Sequence, residues 1–276
     1  MREEFKAEVT VLKKLTTAHA HEHLVTLFAT YELMKEVRPF HLVFPWAEAD
    51  LFHLWKQFPR PRRCADMETW ISEQCVGLMA ALQQLHRYWT FSTSSMFALI
   101  SNTDSKITGL TTHKENDQKT HQRRRIFGRH GDIKPNNILW FPHSSSAAEP
   151  YQGILKIADF GSARFNTRNH WSNAQNGSVP NSPTYRSPEY EISGECTTLC
   201  DVWALGCVYL ECVAWYFGGY ALFESFAKRR LAHDERLGMP SDTFFTIEER
   251  NGCKIASVKK SVVEVSLSLP ILTFRC

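Results

Sequence analysis

The first thing this chain lacks is a cysteine pair spaced for a metal or redox motif. Its eight cysteines, at 64, 75, 196, 200, 207, 212, 253 and 276, include no CxxC. At 276 residues a disulfide framework is not expected either, and reduced thiols in a cytoplasmic or nuclear protein are the simpler reading. Charge of one sign is also missing. Thirty-two basic residues against 29 acidic ones leave +3, too little to argue for a nucleic-acid partner or an anionic membrane. The start shows no charged-then-apolar pattern of a signal peptide, and no internal repeat occurs. What is present is ordinary for a globular chain: 43% hydrophobic and 22% charged residues, in a length that buries a core.

Long apolar runs are nearly absent too. The exception is VWALGCVYLECVAWYFGGYALF, Val202 to Phe223, whose one charge is Glu211. Its length suits a bilayer span, but a mid-span carboxylate, the Gly218-Gly219 break and an acidic start at Asp201 make it a buried core helix, with no membrane partner. His19, His21 and His23 alternate like ligands on one strand face, yet no carboxylate or thiol stands at zinc spacing. Cys196 and Cys200 read as packing or surface residues.

Helical spacing predicts a helix over Phe5–Leu15, and apolar runs at Leu24–Tyr31 and Phe40–Trp46 predict two strands joined by a charged turn at 35–39. A short helix is expected over Asp50–Phe58, ended by the PRPRR cluster at 59–63, and a long amphipathic one over Glu68–Trp89. The polar interval 90–129 reads as a loop, with Arg123–Arg125 as its basic end. Ile138–Phe141 and Ile154–Ile157 have strand character, and Gly161–Glu189 shows no clear period. Beyond Phe223 a mixture of helix and loop is expected.

The chemistry concentrates in HGDIKPNNILWF, His130 to Phe141. Transfer of a phosphoryl group needs a carboxylate to accept the proton of the incoming hydroxyl, a cation for the phosphoryl oxygens, and hard oxygen ligands for Mg²⁺. This stretch supplies Asp132, then Lys134 two positions on, then Asn137. A second carboxylate, Asp159, follows the strand at 154–157 and precedes Phe160 and Gly161, where glycine permits a sharp turn. DFG alone is a weak signal, but these groups in this order and spacing have no good structural explanation.

Taken together, HGDIKPNN, ADFG at 158–161, SPE at 187–189 and DVWALG at 201–206 resemble eukaryotic-type protein kinases of the serine/threonine type. RHGDIKPNNILWF after a long polar loop is similar to a filamentous-fungal subgroup. The resemblance implies an α+β fold, with a partial β-rich N-lobe and hinge over 1–47, a mainly helical C-lobe over 48–226 interrupted at 90–129, and a divergent segment over 227–276. It implies ATP and Mg²⁺ as cofactors and a protein as substrate. In it Asp132 is the base, Lys134 contacts the γ-phosphate, and Asn137 and Asp159 bind the metal. Glu8 matches the helix glutamate that pairs with a nucleotide-binding lysine. Phe44 matches the gatekeeper, Pro45–Ala47 the hinge and Leu139 the floor beneath adenine. Ser182 and Thr184 fall in the activation segment and Glu189 at its end. Leu12, Leu27, His130 and Phe160 match a stacked hydrophobic spine.

The sequence departs from that pattern in three places. No G-x-G-x-x-G and no V-A-I-K lysine precede Glu8, so three N-lobe strands are expected to be missing, leaving an uncovered apolar sheet face and poor solubility. Gly131 replaces the arginine that usually receives an activation-segment phosphate, which argues against that switch. The segment after Val263 does not resemble the final kinase helices, so Glu189 is expected to be a buried carboxylate without its basic partner. Both ends therefore read as cut or altered. A kinase-like interaction module without catalysis, and an incomplete gene product, remain alternatives to an enzyme.

Overall fold

The computed structural model describes residues 9, 12–13, 21–33, 40–90, 124–144, 148–166, 171–172, 182–234 and 239–268. Of the first predicted helix, Val9, Leu12 and Lys13 are helical and Leu12 is buried. Two antiparallel strands follow, β1 (Ala29–Glu32) and β2 (Phe40–Val43). They are shorter than the apolar runs that announce them, because Leu24 and Val25 turn inward instead. Leu24 bridges Ile157 and the Val25 amide donates to the Ile157 carbonyl at 2.9 Å. The face of this ribbon is open, with Phe28 68% exposed and Tyr31 and Leu33 also exposed.

After an extended connection, β3 (Ala49–Asp50) leads into α1 (Leu51–Gln57). Asp50 caps this helix by accepting from the His53 amide at 2.8 Å, and Leu51, Leu54 and Trp55 form its buried side. The long helix α2 runs over Ala65–His86, earlier at both ends than periodicity alone suggests. Its apolar stripe of Leu78, Leu82 and Leu85 is buried as spaced. Trp89 is not helical. It lies in β4 (Tyr88–Thr90), which pairs with β5 (Arg124–Arg129). The polar interval is thus closed at its base by a two-strand ladder, and Arg124 and Arg125 belong to a strand; residues 91–123 lie outside the described part.

β6 (Ile138–Pro142) and β7 (Gly153–Ile157) form an antiparallel pair beside β3, with Ile138 opposite Ile157. The outer edge of β7 is satisfied by Leu24 and by the buried Gln74, whose Oε1 accepts the Leu155 amide at 2.8 Å. β8 (Arg164–Asn166) joins β5, and β9 (Trp171–Ser172) pairs with β10 (Glu195–Cys196). α3 (Pro188–Ser193) is a short helix before β10.

α4 (Leu199–Arg230) is the apolar helix foreseen at 202–223, extended at both ends. It is long and apolar enough to cross a membrane, but its buried residues pack against α1, α2 and a C-terminal helix, α5 (Lys260–Ser268). Gly219, at φ +70°, interrupts it, and a Cβ there would lie 2.4 Å from the Pro59 carbonyl oxygen. Where loop and helix were expected beyond Phe223, two hairpins form: β11 (Ala232–Asp234) with β12 (Met239–Ser241), and β13 (Phe245–Arg250) with β14 (Cys253–Val258).

Cys196 and Cys200, read as unlinked, form a disulfide with Cα atoms 5.9 Å apart. The reversal from β10 into the first turn of α4 brings the two residues together.

Candidate active site

The β5–β6 connection carries His130 to Asn137, and its backbone is held from below by one buried carboxylate. Asp201, in the first turn of α4, accepts from the His130 amide through Oδ2 and from the Gly131 amide through Oδ1, both at 2.8 Å. His86, at the end of α2, lies 2.9 Å from the same Oδ2. Burial acts to raise the Asp201 pKa, but the hydrogen bond and charge of His86 and the Gly131 amide are among the contributions that outweigh it, and the net shift is downward. Read in the sequence only as a helix start, Asp201 is the main support of this loop. Its motif, DVWALG, was the signal available.

Gly131 sits at φ +85°, a conformation that disfavours side chains. A Cβ there would lie 3.6 Å from Nη2 of Arg129, whose buried guanidinium lies beside the place of the missing side chain.

Asp132 is buried, and its Oδ2 receives both Lys134 Nζ at 2.7 Å and Asn137 Nδ2 at 3.0 Å. Oδ1 is buried with no hydrogen-bond partner among the described residues. A carboxylate with one oxygen fixed and the other bare is poised to accept a proton. Lys134 Nζ also donates to Ser182 Oγ at 3.0 Å, joining the loop to the turn at Pro183–Tyr185. Asn137 Nδ2 donates in addition to the Asp132 carbonyl at 2.8 Å, so Oδ1 is the atom Asn137 has left for a cation.

Asp159 reaches this group through its neighbours. The Ala158 amide donates to the Asn137 carbonyl at 2.9 Å, and His130 Nε2 donates to the Ala158 carbonyl at 3.0 Å. The Phe160 ring meets the His130 ring edge-on, with centroids 5.2 Å apart. Asp159 itself is exposed, at φ +62°, and accepts from the Gly161 amide at 3.3 Å. A non-glycine residue in that region is strained by about 1–3 kcal/mol, a cost typical of functional positions. His130 accepts the Asp132 amide on Nδ1 at 3.3 Å while donating from Nε2, so it is neutral; burial accordingly lowers its pKa.

Asn137 and Asp159 offer hard oxygens, which suits Mg²⁺ with water and phosphate completing its shell. No cluster of three or more His, Cys, Asp or Glu that could hold a metal occurs among the described residues. His23 is instead a packed residue: Nδ1 donates to the Leu155 carbonyl at 2.7 Å and its ring leans on Gly77, where a Cβ would come within 2.0 Å.

The other sequence candidates divide. Phe44 is half-buried against the main core, Pro45–Ala47 is the extended connection between β2 and β3, and Leu139 lies half-buried on β6, opposite Lys156 and Asp50. Leu12 and Phe160 share that core, and Leu27 packs against it. Glu8 lies outside the described residues. Glu189 was expected to be buried and unpaired, but it is exposed on α3, so no unpaired-charge penalty arises. Arg186 pairs with Glu191 instead. The buried ion pair here is Glu211 with Arg230, at 2.6 Å, extended by Tyr185, whose hydroxyl donates to Glu211 at 2.9 Å. Thr184, read only as an activation-segment hydroxyl, donates to Asp242.

A small strand-rich part and a largely helical part make an α+β, kinase-like fold, with Asp132, Lys134, Asn137 and Asp159 close to the ends of β6 and β7. Residues 120–235, less than half of the chain, match the protein kinase domain family, which supports a eukaryotic-type kinase domain in that part. It is 32% identical over 106 residues to the dual specificity protein kinase lkh1 of Schizosaccharomyces pombe, covering 35% of this chain and 14% of that protein. It is 29% identical over 119 residues to the human dual specificity protein kinase CLK4, covering 39% of this chain and 23% of the relative. With the dual specificity tyrosine-phosphorylation-regulated kinase 2 of Drosophila melanogaster it shares 31% over 123 residues, 44% of this chain and 15% of the relative. The matched part therefore spans less than a quarter of each of these relatives.

Proposed function

We propose that this domain transfers the γ-phosphate of ATP to serine or threonine hydroxyls of a protein. The observation that carries the reading is the Asp132 carboxylate, with Oδ2 held by Lys134 and Asn137 and Oδ1 buried and bare. Oδ1 takes the proton of the acceptor hydroxyl as its oxygen bonds to phosphorus and the bond to the ADP oxygen breaks. Lys134 offsets charge on the transferred phosphoryl oxygens while keeping Asp132 oriented. Asn137 and Asp159 hold Mg²⁺, which when bound neutralises phosphate charge. The half-buried Leu139 and the extended Pro45–Ala47 backbone supply an apolar floor and polar main-chain groups for adenine. A lysine two positions after the base supports a Ser/Thr acceptor. A cytoplasmic or nuclear location is part of the proposal; the free thiols at Cys64, Cys75, Cys207, Cys212 and Cys253 favour it and the Cys196–Cys200 disulfide does not.

The test is phosphate incorporation from labelled ATP with Mg²⁺ into a general protein substrate, followed by phosphoamino-acid analysis, with Asp132→Asn alongside. Label on serine and threonine, lost by about 10²–10⁴-fold in the variant, is expected. Incorporation indifferent to Asp132→Asn overturns the reading. Because the matched relatives are named dual specificity, phosphotyrosine in the product replaces the Ser/Thr restriction with the wider one.

A further inference from the structure

The strip Ser182–Tyr185 is pinned at three points. Ser182 meets Lys134, Tyr185 meets Glu211, and between them Thr184 Oγ1 lies 2.7 and 2.8 Å from the two oxygens of Asp242. Lys134 and Glu211 lie within the residues that match the kinase family; Asp242 lies beyond them.

The carboxylate comes from a firm frame. Lys259 Nζ, buried, donates to the Ser241 and Arg230 carbonyls at 2.8 and 2.7 Å, tying the segment before Asp242 to the end of α4. Arg230 Nε donates to the Asp242 carbonyl at 3.3 Å, and its guanidinium packs on both the Phe226 and the Phe244 ring. Thr184 by contrast sits in a single 3₁₀ turn, Pro183–Tyr185, closed by one backbone bond from the Arg186 amide to the Pro183 carbonyl at 3.1 Å. So short a turn has little stability of its own and depends on its side-chain anchors.

We propose that Asp242 is a positioning residue: acting through Thr184, it holds the strip 182–185 at a set distance from Asp132 and thereby governs how well a protein acceptor binds. This rests on the kinase reading above. The Asp242 side chain reaches the base indirectly, by way of Thr184, Ser182 and Lys134, so its loss acts on acceptor binding more than on the chemical step.

The full chain is compared with Asp242→Ala, Thr184→Val, the double variant and Asp242→Glu. Each single change is expected to raise KM for the protein substrate about tenfold, the size of one charge-assisted hydrogen bond, with kcat and KM for ATP moving far less. The double variant is no worse than either single one, and Asp242→Glu recovers part of the loss. An unchanged protein KM in both single variants, or an equal fall in kcat and kcat/KM, overturns the proposal. Deuterium uptake by a peptide covering 182–187 reads the same contact without activity. Faster uptake in Asp242→Ala and Thr184→Val supports the proposal and unchanged uptake overturns it. A wild-type chain without phosphate incorporation defeats the kinase reading alone, and uptake then decides the role of Asp242.

Discussion

Asp201 holds Gly131 by its backbone amide at 2.8 Å while Gly131 stands at φ +85°. A turn that glycine adopts readily and other residues do not is thus fastened to a helix 70 positions away. Asp201→Ala leaves the buried His130 amide, the part-buried Gly131 amide and His86 without their acceptor. A loss of about 3–5 kcal/mol is expected from breaking such a buried charged network. Urea unfolding midpoints of the variant and the parent check it, and a shift below about 1 kcal/mol contradicts the role assigned to Asp201.

Acid should destabilise the protein in two stages. Burial lowers the pKa of His23 and His130 from 6.5, so below about 6.5 the unfolded chain takes up protons that the folded one refuses, and stability declines from there. Asp201 is lowered from 3.8, so its contribution is present above that value and is lost as pH falls through the folded pKa. Unfolding midpoints measured from pH 7 to 3 should show both limbs. Asp201→Asn should flatten the lower and His23→Gln part of the upper. A midpoint constant from pH 7 to 5 speaks against the first limb.

Glu211 and Arg230 are both 1% exposed, and burial raises the Glu211 pKa with Arg230 and Tyr185 only partly opposing it. Arg230→Ala strands that carboxylate and should cost about 3–5 kcal/mol. Arg230→Ala combined with Glu211→Gln should recover a large part of the loss, which a double-mutant cycle by thermal or urea unfolding measures. Strict additivity would show that the pair is not coupled.

Gly219→Ala tests the interruption of α4. The added Cβ meets the Pro59 oxygen at 2.4 Å and the backbone is left-handed there, so a loss of about 2 kcal/mol or more is expected. At Gly206, where a Cβ meets nothing within 4 Å, the same substitution should be neutral or slightly stabilising. Melting temperatures of the two variants separate the cases.

Lys134 and Ser182 should differ in weight. Lys134→Ala removes the cation beside Asp132 and should lower phosphate incorporation by about 10²–10³-fold with little change in melting temperature. Ser182→Ala leaves the Lys134–Asp132 contact in place and should lower it by about tenfold or less. Equal effects would mean that Lys134 acts only through Ser182.

Most of the helical body was legible because its signals are local: the period of Leu78, Leu82 and Leu85 on α2, and the long apolar run of α4 with its single charge. Trp89 was misassigned because its environment is set by a ladder to Arg125, across an interval whose length has no counterpart in any local pattern. The hairpins at 232–258 were missed because they lack the clear alternation that reveals a strand; β13 and β14 are mostly exposed on both faces. Nothing local to Thr184 pointed to Asp242, 58 positions on.

By itself the sequence determined that Asp132, Lys134 and Asn137 stand together, since they share one short loop and backbone geometry alone keeps residues at those offsets within reach of each other. Only the tertiary structure decided what supports that set and what does not. Asp201 lies beneath the loop, Asp242 is fastened to Thr184, Glu189 is in solvent, and Cys196 is joined to Cys200. The first three outcomes depend on which distant elements pack together, and the last on a chain reversal, neither of which residue identity or local spacing encodes.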